Sequence, residues 1–489
     1  MKKIYFVLFL LSVISYGQIQ IGSNINGEAA GDNCGRKHSF SSDGTVLAIG
    51  ASLNDGNGSN SGHVRVFKNI SNTWIQIGSD IDGEAIDDYL GLSISLSSDG
   101  TVLAIGASLN DGNGSNSGHV RVFKNISNTW IQIGSDIDGE AAGDYFGSSV
   151  SLSANGTILA IGGHLNDGNG SNSGHVRVYQ NISNTWTQIG SDIDGEAAGD
   201  WSGENVSLSS DGTILAIGAS LNAGNGINSG HVRIYQNISN TWTQIGSDID
   251  GEAAGDFFGS SISLSSDGSI LAIGAFQNDG NGSNSGHVRV FKNISNTWIQ
   301  IGSDIDGEAA GDRSGEDVSL SSNGTILAIG ASLNDGNGSN SGHVRIYQNI
   351  SNTWTQIGSD INGEASNDRS GISTSLSSNG TILAIGAFQN DGNGTDSGHV
   401  RVFDLSALLS SNTFVLNNFS IYPNPTSDIL NINLDNNLTL EKVNIYTTLG
   451  QLIQTENKPQ IHITSLVKGN YIIEVVTNQG KATKTFIVE

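Results

Sequence analysis

Five times this chain places four carboxylates in one short run, D-x-D-G-E-x-x-x-D. The sets are Asp80, Asp82, Glu84 and Asp88; Asp136, Asp138, Glu140 and Asp144; Asp192, Asp194, Glu196 and Asp200; Asp248, Asp250, Glu252 and Asp256; and Asp304, Asp306, Glu308 and Asp312. Oxygens at relative positions 1, 3, 5 and 9 are spaced as a loop spaces them when it wraps a hard cation such as Ca2+. The glycine follows the second aspartate directly, unlike a helix-loop-helix calcium loop, so the spacing comes without the full signature. Asn24, Asn26 and Asn362 dilute the set in two further copies. The competing reading needs no metal: the aspartates cap turns, and Glu84 pairs with a strand arginine such as Arg65. A second loop, Asn110-Asp111-Gly112-Asn113-Gly114-Ser115, also offers oxygens, but Ala223 replaces its aspartate in one copy, which favours a chain of Asx turns.

A second group is conspicuous because it varies while its surroundings repeat. The positions are Asn33-Cys34, Tyr89-Leu90, Tyr145-Phe146, Trp201-Ser202, Phe257-Phe258, Arg313-Ser314 and Arg369-Ser370, with further scatter at Arg36-Lys37, Glu204-Asn205 and Glu316-Asp317. Aromatic and arginine side chains gathered at one mouth suit a glycan or peptide ligand. We take Tyr89, Tyr145, Phe146, Trp201, Phe257, Phe258, Arg313 and Arg369 as candidate ligand-binding residues; drift in a tolerant loop is the alternative. Catalysis finds less support. Histidines recur at one strand position from His63 to His399, which suits a structural role, and His164 has no serine or cysteine nucleophile motif beside it. Paired carboxylates leave a glycosidase open, although many near-equivalent acidic loops argue against one special pair.

These residues are positioned by a repeat. Trp74, Trp130, Trp186, Trp242, Trp298 and Trp354 are each 56 residues apart, and such a period points to a repeat architecture. Each copy predicts four strands: SSVSLS, a tight turn such as Ser98-Asp99-Gly100, the buried run TVLAIGA, the alternating HVRVF, and WIQIGSDI. Four short strands per unit predict a β-propeller blade. The hairpin turn and the SGHVR strand each occur seven times, whereas the Trp strand occurs six times, and a Trp-less copy, Ile19-Gln20-Ile21-Gly22, opens the repeats. The expectation is an all-β chain: a seven-bladed β-propeller over 18–404, closed by N-terminal strand exchange, with both acidic loops on one face.

The remainder divides by composition. Residues 1–17 carry Lys2-Lys3 and an apolar run, and read as a secretory signal peptide. The chain has a formal net charge of −26, and the acidic residues and lysines after Leu405 nearly cancel, so the repeats hold the excess. Such a body repels nucleic acid, and no segment after the signal has the apolar length of a membrane span. Cys34 is the single cysteine, which excludes an intramolecular disulfide. A linker over 405–418 leads to alternating strands over 419–489 that predict a small Ig-like β-sandwich, with turns at Asp435-Asn436-Asn437, Leu449-Gly450 and Gln479-Gly480.

Two resemblances follow from these residues. Tyr422-Pro423-Asn424-Pro425, Ile445-Tyr446 with Leu449-Gly450, Leu466-x-x-Gly469-x-Tyr471 and Lys484-Thr485-Phe486 resemble the type A sorting domain of the type IX secretion system of Bacteroidota. The resemblance implies a secreted or outer-surface cargo addressed to that secretion machinery. Phe146-Gly147 with Ala160-Ile161-Gly162-Gly163, and Phe258-Gly259 with Ala272-Ile273-Gly274-Ala275, are similar to the FG-GAP repeats of integrin α-chain propellers. That family's calcium loop lies between the first and second strands, where this chain has only a tight turn. The expected function is a monomeric, non-enzymatic adhesin or glycan binder assisted by Ca2+; a polymer hydrolase and an inert display module are the alternatives.

Overall fold

The computed structural model describes residues 18–409, 419–434, 438–448, 451–477 and 480–489, so the signal-peptide expectation and most of the linker and sandwich turns lie outside the described residues. The chain divides into two compact units, and Gln18–Leu405 forms one of them. Seven antiparallel sheets repeat along it. In the third, Ser149–Leu152, Ile158–Gly163, His175–Ile182 and Thr185–Gln188 pair in sequence order, as expected.

The fourth expected strand is broken. Thr185–Gln188 pairs with the end of the third strand, and a separate two-residue strand, Ile193–Asp194, pairs with its start at His175-Val176. Each sheet therefore has five strands, and the chain between the last two forms a bow that carries an aspartate in six sheets and Asn24 in the seventh.

The second strand, VLAIGA or ILAIGA, is almost wholly buried, which explains its unbroken apolar run. Its glycine is required: a Cβ on Gly162 would collide with the carbonyl oxygen of Gly203 in the next sheet. Adjacent sheets are also joined by side chains. Nε1 of Trp186 donates to the Ile133 carbonyl of the preceding repeat (3.1 Å), and the other five repeat tryptophans make the same bond at 3.0–3.3 Å.

The first strands lie innermost, each in contact with the next. In each hairpin turn the aspartate or asparagine accepts from the Ser or Thr around it, as Asp99 does from Ser97 Oγ (2.7 Å) and Thr101 N–H (3.0 Å). The residue at the tip then donates sideways. N–H groups of Ser42, Ser98, Ala154, Ser210, Ser266, Ser322 and Ser378 each bond the equivalent carbonyl of the following repeat at 2.8–2.9 Å, and Ser378 donates back to Ser42.

At the other edge, Ile19–Gln20 pairs with Phe403–Asp404 and Ile25–Asn26 pairs with His399–Val400, so the start of the chain completes the seventh sheet.

The second unit is a β-sandwich. A three-stranded sheet (Phe419–Tyr422, Ile429–Leu434, Gln460–His462) faces a four-stranded one (Leu452–Glu456, Leu440–Thr447, Gly469–Thr477, Gly480–Val488). Phe419, Leu430, Ile445, Ile473 and Phe486 fill the space between them. The Y-P-N-P run is held to the last strand: Oδ1 of Asn424 accepts from Ile487 N–H, and Thr426 exchanges backbone bonds with Ile487 and Glu489. Ser406–Leu409, at the start of the expected linker, forms a single helical turn.

Removing residues 18–26 would expose the third strand of the seventh sheet as a bare edge. The truncated chain is expected to unfold at a lower urea midpoint and to self-associate in light scattering; equal midpoints and a single monomeric species would show that the pairing contributes nothing.

Candidate ligand and cation sites on the loop side

The two acidic loops lie against each other. Nδ2 of Asn113 donates to the carbonyls of Gly139 (2.8 Å) and Glu140 (3.0 Å), clamping N-D-G-N-G onto D-x-D-G-E. Within the first loop, Asn110 Oδ1 accepts from Gly112 N–H and Asp111 Oδ1 from Asn116 N–H, the Asx-turn arrangement.

The four carboxylates of one D-x-D-G-E-x-x-x-D run do not act together. The ninth-position residues Asp88, Asp144, Asp200, Asp256 and Asp312 are buried, and each accepts from the alanine N–H three residues earlier at 2.8–3.0 Å. Asp88 also receives Asn110 Nδ2 at 3.0 Å, so its oxygens already have partners. Asp82, Asp138, Asp194, Asp250 and Asp306 are exposed. Asp80, Asp136, Asp192, Asp248 and Asp304 accept from a glutamine four residues earlier at 2.6–2.7 Å. Glu84 pairs with Arg121 of the following repeat (3.7 Å), not with Arg65, whose partner is Glu28. Glu140, Glu196, Glu252 and Glu308 pair forward in the same way with Arg177, Arg233, Arg289 and Arg345. An oxygen-only wrap by one loop is thus replaced by a different grouping.

That grouping recruits the repeated histidines at the start of each third strand. Glu28, His63 and Asp80 meet with ligand atoms within 4.8 Å of one another, as do Glu84/His119/Asp136, Glu140/His175/Asp192, Glu196/His231/Asp248 and Glu252/His287/Asp304. These repeated Glu/His/Asp groups could hold an ion. The signal in the sequence was the fixed separation of the three residue types, hidden because they sit on three different segments. Burial lowers the pKa of every one of these histidines, so the imidazoles stay neutral near pH 7.

The variable residues separate into two kinds. Phe146 and Phe258 are fully buried in the cores between sheets, where Leu90 and Cys34 sit in other repeats. They are corrected from ligand contacts to packing residues; the second position of each variable pair points inward. Burial likewise pushes the Cys34 thiol up to about 11.

Tyr89, Tyr145, Trp201, Phe257, Arg313 and Arg369 are half-buried with φ of 53–58°. This left-handed region is costly for bulky side chains, and the first repeat uses Asn33 there (φ 55°), a residue that tolerates it. Tyr145, Trp201, Phe257, Arg313 and Arg369 contact a second variable position after the second strand. His164 lies edge-on between Trp201 (5.3 Å) and Tyr145 (5.9 Å), Phe276 lies between Phe257 and the Arg313 guanidinium, and Phe388 lies under both Arg369 and Arg36. Serines 220 and 332 occupy the same place in intervening repeats and donate to Glu204 and Glu316.

A cavity of about 400 Å³ opens among these groups, lined from all seven repeats by residues including Arg36, Leu92, His164, Glu204, Phe276 and Ile372. A narrower one of about 150 Å³ shares Lys37 and Asn205 with it. There Lys37 Nζ lies 3.5 Å from Asp317, whose other oxygen accepts from Thr374 N–H (2.7 Å) and Oγ1 (2.8 Å). Burial raises the pKa of Glu204 and Asp317 and lowers that of Arg36.

Comparison with known families now bears on the chain. Residues 420–489 match a secretion system C-terminal sorting domain, and residues 80–123, 137–179, 248–291 and 305–347 match the FG-GAP repeat. The chain carries FG-GAP repeats followed by a type IX secretion sorting domain. That domain marks the protein for secretion or the cell surface and for interaction with the secretion machinery. Among the described residues no helix is long and apolar enough to cross a membrane. The ulvan lyase NLR42 of Nonlabens ulvanivorans is 38% identical over 88 residues, which is 17% of this chain and 16% of that protein. Two solved structures give partial matches. The periplasmic gluconolactonase PpgL of Pseudomonas aeruginosa has a TM-score of 0.47 at 17% identity, over 67% of this chain and 85% of its own. U3-55K has a TM-score of 0.48 at 14% identity, over 80% and 98%.

Burial holds His38 and His164 neutral down to about pH 4. Below about 6.5 the unfolded chain binds protons that the folded chain refuses, so stability falls as pH falls. The melting midpoint is expected to drop between pH 6.5 and 4 and to change little between pH 8 and 7, with a shallower drop in His164→Gln. A level midpoint down to pH 4 would contradict this burial.

Proposed function

We propose that this chain is an exported, non-catalytic binding protein, a closed seven-bladed propeller that takes a glycan or surface-protein ligand at the mouth of its central channel. The observation that carries the reading is the left-handed backbone at Tyr89, Tyr145, Trp201, Phe257, Arg313 and Arg369. Six of the seven repeats place a bulky aromatic or arginine where a small or asparagine residue would sit without strain, and such strain gathers at functional sites. All seven repeats line the cavity beside them, with cationic, anionic and aromatic groups converging in about 400 Å³. A cavity of that size suits one or two sugar rings or a short side-chain epitope. Return of the turn-to-turn hydrogen bonds to Ser42, and the pairing of Ile19–Gln20 with the last repeat, support ring closure.

A second reading, action on an extracellular polymer, draws on the partial likeness to an ulvan lyase and on the half-buried Glu204 and Glu316 lining the cavity. One experiment separates the two. The secreted chain is applied to a glycan array, and any retained polymer is incubated with it and assayed for shortening. Retention without shortening is expected. Trp201→Asn is expected to weaken retention about tenfold or more, corresponding to about 1.4 kcal/mol, while keeping the circular dichroism and a melting midpoint close to the parent. Shortening of a polymer favours the enzyme, and unchanged retention in Trp201→Asn and Arg313→Ala removes the mouth from the account.

A further inference from the structure

We infer that the Glu–His–Asp groups on the loop side, six of them among the described residues, are binding sites for a divalent transition-type cation, with Zn2+ as the representative ion. Each group draws its three donors from three segments. Glu84 comes from the connection entering a sheet, His119 from the start of that sheet's third strand, and Asp136 from the bow after the tryptophan strand. An ion held there would tie these segments of one repeat to one another.

The geometry is close to what such an ion needs. In the third repeat, Nδ1 of His175 is buried, has no hydrogen-bond partner, and lies 3.7 Å from Asp192. In the fourth, Nδ1 of His231 lies 3.9 Å from both Glu196 and Asp248, and in the sixth, Nδ1 of His343 lies 3.9 Å from Glu308 and 4.0 Å from Asp360. Four donors around Zn2+ sit about 3.3 Å apart. The glutamates are roughly half-exposed, with side-chain exposures of 44–47%, so their side chains have room to move toward the imidazole.

The charge also fits. Two carboxylates face one arginine, such as Arg121 at 3.7 Å from Glu84 and 4.0 Å from Asp136. A net negative charge remains to draw a cation. The imidazole donor favours zinc-like ions over Ca2+, which prefers an all-oxygen shell. Glu84 lines an open groove of about 530 Å³ with Asp80, Asp82 and Arg121, which provides the entry path.

The seventh copy is a built-in control. Asn24 takes the aspartate's place, and its Nδ2 lies 2.9 Å from Glu364 Oε2 and 3.4 Å from His399 Nδ1, filling the position between them with an amide.

The test strips the secreted full chain with EDTA, dialyses it against ZnCl2 with and without equal CaCl2, and counts retained metal by inductively coupled plasma mass spectrometry. About six Zn2+ per chain are expected, undisturbed by Ca2+. Asn24→Asp is expected to add one ion, His175→Gln to remove one, and Asp82→Asn, outside the groups, to leave the count unchanged. Because Asn24→Asp creates a site instead of destroying one, a misfolded His175→Gln does not blunt the test. No retained zinc, Ca2+ retained in its place, or a count that ignores both Asn24→Asp and His175→Gln overturns the inference.

Discussion

The lateral contact between equivalent residues of adjacent repeats is the constraint on which the rest of the repeat unit depends. A single sheet of this chain has a buried second strand and a third strand buried over its first half, so neither face can be left to water. Each sheet is covered by the next, and backbone bonds such as Ser98 N–H to the Ala154 carbonyl set the separation. The approach is close enough that glycine is required at Gly162 and its equivalents, and close enough for Trp186 to reach the preceding repeat's Ile133 carbonyl. The turn-tip bonds, one per repeat and ending with Ser378 to Ser42, have nearly equal lengths of 2.8–2.9 Å.

Variation between copies sits where this regularity is relaxed. The D-x-D-G-E connection repeats faithfully because most of its groups are engaged: Asp88 caps its own loop, Glu84 reaches the next arginine, and Asn113 clamps two carbonyls across the gap. The residues around the cavity at Arg36, His164 and Phe276 carry no such duties, and they differ from copy to copy. His164, Phe276 and Phe388 alternate with Ser220 and Ser332, and each large side chain is sandwiched by the variable residues on either side. The mouth is consequently asymmetric, although the scaffold beneath it is close to seven-fold.

The strand pattern was legible because it rests on local periodicity: alternation in HVRVF, an unbroken apolar run in VLAIGA, and a turn residue fixed between them. The interrupted outer strand was not, since the bow at Asp192 depends on pairing the same third strand twice. The buried role of Phe146 and Phe258 was hidden for a related reason. Two neighbouring residues in a loop look equivalent in a sequence, and the left-handed φ at Tyr145 and Phe257 is what turns the following side chain into the core.

Counting alone determined the number of sheets and the origin of the missing outer strand at Ile19–Gln20, because repeat length is a property of the chain by itself. Which acidic side chains face one another was decided only in three dimensions. Donors 35 and 17 residues apart, as Glu28, His63 and Asp80 are, meet because a sheet folds its entering connection, third strand and trailing bow onto one spot, a coincidence of pairing that no spacing within a single loop encodes.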